Sequence, residues 1–174
     1  MLMLRHSSTY AKNQGEDPFQ GRLEEAKKLG EEAMSLFSKY ADGHSILAHI
    51  YLEQEILQDK ALALLENAVK LHKAKLFVRL GSPEEQVTML CLKAWAYAQL
   101  HRSEEAEKAL QQALAKTRPH KKPDYAKQLY FLARTALVLG KQNDARGFLE
   151  KAAAADPIGA WGQKAEKFLR TNLR

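Results

Sequence analysis

The sequence predicts an all-α protein assembled from repeated helical hairpins, and three observations carry that expectation. Alanine and leucine recur at three- and four-residue intervals in nearly every window, the spacing of an apolar stripe on a helix. Alternating β-branched runs, the mark of half-buried strands, are absent. Small residues also return in a fixed register: Ala94, Tyr97, Ala106, Leu110 and Ala113 are spaced by 3, 9, 4 and 3, and Ala133, Ala136, Ala145, Leu149 and Ala152 repeat the same intervals.

Helices are expected near 22–39, 43–55, 58–74, 83–100, 103–117, 123–139, 142–155 and 157–171. Several boundaries have a local cause. Ser82-Pro83-Glu84-Glu85 offers a capping serine, a proline at the first helical position and a glutamate three residues after the cap; together they satisfy orphan amide donors. Asp156-Pro157 repeats the cap-plus-proline logic before the last helix, and Gly140 stands where a left-handed residue would end the preceding one. Upstream, Leu47, Ala48 and Tyr51 fit the opening helix of another hairpin. Ala61, Leu65 and Ala68 fit its second helix after one extra residue in the turn, and Ala26 and Ala33 fit a second helix one unit earlier. An alanine at a helix crossing lets two backbones approach closely.

Ala94, Ala106 and Ala113, followed by Ala133, Ala145 and Ala152, resemble the small eighth, twentieth and twenty-seventh positions of the tetratricopeptide repeat. Tyr51 and Tyr97 match its tyrosine, Gly140 its turn glycine and Pro157 its closing proline, whereas Leu90 and Leu129 replace its tryptophan and Ala136 a tyrosine. The resemblance implies a right-handed superhelical stack of helix-turn-helix repeats over 22–157. Residues 1–21 would be an N-terminal arm or degenerate half-repeat, and 158–174 a C-terminal capping helix. In that last helix Trp161, Ala165, Phe168 and Leu169 fall at helical spacing, with Gln163, Lys164 and Arg170 between them. A solvating cap is expected, a self-association surface being the rival.

Steps between units of 35, 45 and 39 residues, from Ala26 to Ala61 to Ala106 to Ala145, show two lengthened junctions. Both are basic. One carries Lys70, Lys73, Lys75 and Arg79, the other Lys116, Arg118, Lys121 and Lys122. A positive rim follows, either an ordinary solvated face or a site for an acidic or phosphorylated partner.

The resemblance also implies a concave groove lined by the first helix of each unit. By register its residues are Asp42, Ser45, His49 and Glu53; then Thr88, Cys91, Trp95 and Gln99; then Lys127, Tyr130, Arg134 and Val138. Of these, His49, Cys91, Trp95, Gln99, Lys127, Tyr130 and Arg134 are the expected partner-binding residues. Trp95 and Tyr130 supply flat apolar area, and Lys127 and Arg134 charged donors. For Trp95 the alternative is packing against the adjacent helix. Ser45, Cys91 and Trp95 do not supply the clamp of lysines and asparagines that the chaperone-docking members use, so no chaperone-tail binding is expected.

Chemistry is sparse. Gly140-Lys141 lacks the loop of a phosphate site, no GxGxxG, HExxH or CxxC occurs, and His44 and His49 are five apart. Carboxylate pairs such as Glu24-Glu25, Glu31-Glu32 and Glu104-Glu105 read as solvated, salt-bridged exteriors. Of the 174 residues 45% are apolar and 28% charged, with 27 Lys and Arg against 21 Asp and Glu and a single cysteine. One domain is expected, without a catalytic residue, metal or cofactor. With no segment approaching a membrane span and a lone thiol, it is expected in the cytoplasm, as a monomer or weak homodimer. The expected function is a protein interaction module, an adaptor, scaffold or assembly factor that binds a peptide or partner helix. The alternative is nucleic-acid or acidic-partner binding through the basic edge. Nucleic acid is disfavoured because aromatics are not interleaved with the lysines.

Overall fold

A computed structural model describes residues 18–36, 38–73, 83–119 and 122–173. Among the described residues there are eight helices and no strand: α1 Pro18–Leu36, α2 Ala41–Glu53, α3 Gln58–Lys73, α4 Pro83–Gln99, α5 Ser103–Lys116, α6 Lys122–Val138, α7 Gln142–Ala155 and α8 Ala160–Asn172. Packing follows chain order. The pairs α2–α3, α4–α5 and α6–α7 form the closest hairpins, and the first helices α2, α4, α6 and α8 touch one after another. Each second helix also leans on the next first helix, while α3 and α5 do not touch, nor do α5 and α7.

The hairpin turns share one hydrogen-bonding pattern. Amides of Ile56, Arg102 and Lys141 donate to the carbonyls of Tyr51, Tyr97 and Ala136 at 3.1, 2.9 and 2.8 Å. Amides of Glu55, His101 and Gly140 donate to Leu52, Ala98 and Leu137 at 3.2, 2.9 and 3.0 Å. This pair of bonds ends a helix through one left-handed residue, and Glu55, His101 and Gly140 have φ of 54°, 57° and 75°. In the later two turns Arg102 and Lys141 also accept the first bond of the next helix, from Ala106 and Ala145. In the first turn Ile56 is inserted, and Leu57, at φ 51°, takes that role for Ala61. The extra residue expected from the alanine spacing is therefore Ile56, and it leaves a second left-handed position behind it.

The register alanines occupy the crossings. Ala48, Ala61, Ala68, Ala94, Ala106, Ala113, Ala133, Ala145 and Ala152 are all fully buried, and Leu47, Leu65, Leu92, Leu110, Leu132 and Leu149 fill the space beside them. Ala33 is an exception: it is exposed on α1, along with Leu29 and Leu36. The backbone of α1 approaches only that of α2, while Glu31 reaches Lys60 of α3 at 3.7 Å.

Two ends differ from expectation. α1 starts at Pro18 rather than near 22, using proline at the first helical position, and the rest of the expected arm, 1–17, lies outside the described residues. α8 starts at Ala160, not at the Asp156-Pro157 cap. Asp156 instead ends α7, its amide bonded to the Ala152 carbonyl at 3.3 Å, and accepts the Gly159 amide at 3.1 Å. The chain must reverse here to lay α8 against α7. Gly162 then sits so near the Asp156 backbone that a Cβ would collide with it.

Replacing Ala106 or Ala145 with leucine is expected to cost about 1–3 kcal/mol by overpacking, read as a fall in thermal midpoint. Conversely, His101→Gly should stabilise by about 0.5–1 kcal/mol, since glycine relieves the left-handed strain at a smaller entropic cost. An unchanged or lower midpoint for His101→Gly would contradict the turn assignment.

Candidate functional site

The first helices place an aromatic cluster at their common face. α2 contributes His49, α4 Trp95, and α6 Tyr130 and Phe131; α8 adds Trp161 and Phe168. Trp95 and Phe131 stack with centroids 6.0 Å apart and planes at 23°. His49 lies edge-on to Phe131 at 4.8 Å and tilted to Trp161 at 5.8 Å. Tyr130 meets Trp161 at 5.7 Å and Phe168 at 6.1 Å. Trp161, Lys164 and Phe168 are three and four residues apart, so one face of α8 carries all three. Small Gly162 and Ala165 are buried where α8 meets its neighbours.

One carboxylate, Glu53, ties the cluster together across three first helices and is 7% exposed. It accepts from Lys164 Nζ at 2.6 Å, His49 Nε2 at 3.1 Å and Arg134 Nη1 at 3.3 Å. Arg134 also donates to Tyr130 Oη at 3.2 Å, approaches Glu55 at 3.6 Å, and spreads its guanidinium over Trp95 at 4.4 Å. Lys164 lies over Tyr130 at 4.8 Å and Trp161 at 5.2 Å, and Lys127 over Trp161 at 5.7 Å. Each ring face adds attraction for a cation.

Burial and these charges set the titration. Burial pushes the Glu53 carboxyl up, but the His49 hydrogen bond and the Lys164 ammonium outweigh it, and the group falls to about 2. Burial holds His49 below its ordinary 6.5, against the pull of Glu53. Burial, with Glu53 nearby, drives the Tyr130 phenol up to about 12. Lys127 is lowered by desolvation, opposed by Asp124, Glu85 and Asp42.

The structure thus brings together His49, Trp95, Lys127, Tyr130 and Arg134, but largely as interior. Trp95 and Tyr130 are buried, so the packing alternative holds for Trp95, and α8 covers the face that an open groove would have exposed. Gln99 is half-buried and donates to the Leu52 carbonyl at 3.1 Å. Cys91 is buried with its thiol near Thr117, and burial raises it to about 12, opposite to what a nucleophile needs. Among the described residues no three His, Cys, Asp or Glu side chains are placed to hold a metal. Sequence reasoning missed Phe131, Lys164 and Glu53 as the centre of the cluster. The spacing of Trp161, Lys164 and Phe168 was the available signal, read as a cap covering the last hairpin.

The basic rim is only partly described. Lys70, Lys116 and Arg118 are exposed. Lys75, Arg79 and Lys121 lie outside the described residues, as do the side chains of Lys73 and Lys122. Beside Lys116, a cleft of about 530 Å³ opens between α3, α4 and α5, floored by Val69, Met89, Leu90 and Ala115. Among the described residues no helix is long and apolar enough to cross a membrane. No family model matches the chain, and no curated protein is significantly similar to it.

The pH dependence of folding should follow the cluster. The unfolded carboxyl titrates near 4.5 and folded Glu53 near 2, so the unfolded chain binds more protons in that window and stability is lost as pH is lowered through it. His49, also depressed, starts the decline below its ordinary 6.5. Glu53→Gln is expected to flatten the acid part of a plot of thermal midpoint against pH. At neutral pH it should cost roughly 3 kcal/mol, because Arg134 and Lys164 lose their shared anion. An unaltered acid limb would show that Glu53 is not the group titrating.

Proposed function

We infer that the chain is a non-catalytic protein interaction module, an adaptor, scaffold or assembly factor, built as a right-handed stack similar to tetratricopeptide repeats. The matching turns, the alanine register and packing in chain order support that architecture. The reading places a partner helix or peptide on the common face of α2, α4 and α6. One observation carries it: α8 already occupies that face as a helix, presenting Trp161, Lys164 and Phe168 to His49, Tyr130, Phe131 and the Glu53 carboxylate.

The chemistry of that seat defines what fits. Two aromatic side chains one to two turns apart fill the space between first helices, and a cation between them meets Glu53, so helix-in-groove recognition is the mode expected. α8 is a tethered occupant, and a partner helix of the same pattern competes with it. Because the tether raises the effective concentration of α8, a free helix binds weakly unless α8 is loosened.

The test is affinity capture from cell lysate with quantitative mass spectrometry. Trp161→Ala with Lys164→Ala, checked for retained helicity, should enrich a partner at least about tenfold over wild type. Adding Arg134→Gln should remove the gain. Equal recovery by all three proteins would remove this reading.

A further inference from the structure

We propose that the cleft between α3, α4 and α5 is a second docking site, separate from the aromatic cluster, for an acidic protein segment carrying aliphatic side chains. Its floor is aliphatic: Val69 from α3, Met89 and Leu90 from α4, and Ala115 from α5. At about 530 Å³ it lies within the range of sites that bury an anchoring side chain or small ligand, roughly 300–1,000 Å³.

Charge selects the occupant. Lys116 lines the cleft, and Lys70 and Arg118 stand exposed one and two residues from lining positions. None of the three is ion-paired with a carboxylate of the described residues. Of the nearby acids, Glu85 and Glu84 stand one and two residues from lining Gln86 and are both already engaged, and Glu66, three residues before Val69, is matched by Lys93 at 3.7 Å. An apolar floor beside unmatched cations is complementary to glutamate or aspartate next to leucine, isoleucine or methionine. Nucleic acid fits less well, because among the described residues no aromatic side chain lines the cleft to stack a base.

The probe is a fluorescein-labelled peptide with leucines at helical spacing and glutamates between them, followed by anisotropy and by the methionine methyl signals of the full chain. It should shift the Met89 methyl signal and leave that of Met34, which lies on α1, unchanged. Lys116→Glu with Arg118→Glu should weaken binding about tenfold. Ala115→Trp, at an exposed position, should weaken it similarly by filling the cleft while keeping every charge, with an unchanged thermal midpoint as control. A shift in Trp161 fluorescence without one at Met89 would assign the peptide to the aromatic cluster and overturn this placement. Undetectable binding, equal affinity for a peptide with serine in place of leucine, or displacement of the peptide by single-stranded RNA would each overturn the proposal. So would a Met89 signal that moves with protein concentration alone, which would make a second copy of the chain the occupant.

Discussion

Close approach of helix backbones at alanine is the constraint on which the rest of the structure depends. A helix of this length cannot bury its apolar stripe alone, and short hairpins acquire a core only by stacking. Ala61, Ala106 and Ala145 begin the second helix of each hairpin, each a fixed four residues from the carbonyl that accepts its amide bond. That links the left-handed turn to the first crossing. Each turn therefore delivers an alanine to the same place in the next layer, and the adjoining leucines fill whatever space remains.

Stacking aligns the first helices, and their alignment creates the electrostatic problem that Glu53 resolves. Arg134 and Lys164 point toward a partly dry aromatic interior, where an unmatched cation would be costly, and His49 points there beside them. One carboxylate accepts from all three, and the ring faces of Trp95, Tyr130 and Trp161 take up the remaining cation surface. The arrangement joins α2 to α6 and α8, two helices whose backbones do not approach that of α2. Side-chain bonds of Glu53, rather than backbone packing, hold the two ends of the series of first helices in relation.

Two surfaces of different chemistry result. At the common face of the first helices the chemistry is aromatic and internally neutralised, so any partner there must replace a resident helix. Between α3, α4 and α5, the cleft has an aliphatic floor edged by Gln86 and Gln112, and the cations beside it make no ion pair with a described carboxylate. A resident helix on one side and a cleft on the other would suit the linking of two proteins, as the proposed adaptor function requires.

Fold class and helix positions were legible in the sequence because they depend on local periodicity and turn chemistry. Gly140 announced its left-handed turn, and the displaced spacing of Ala61 announced the inserted Ile56. Asp156-Pro157 misled because the same cap-plus-proline signal also suits a tight turn, and only the need to fold α8 onto α7 selects between them. The membership of the aromatic cluster was half legible: register put His49, Trp95, Tyr130 and Arg134 on one face, as found. What register cannot carry is depth. Whether that face stays open is decided by α8, whose Trp161, Lys164 and Phe168 come from more than a hundred residues beyond Glu53 in the chain. Burial and charge pairing at such a distance depend on the angle between stacked hairpins, a quantity no local spacing encodes.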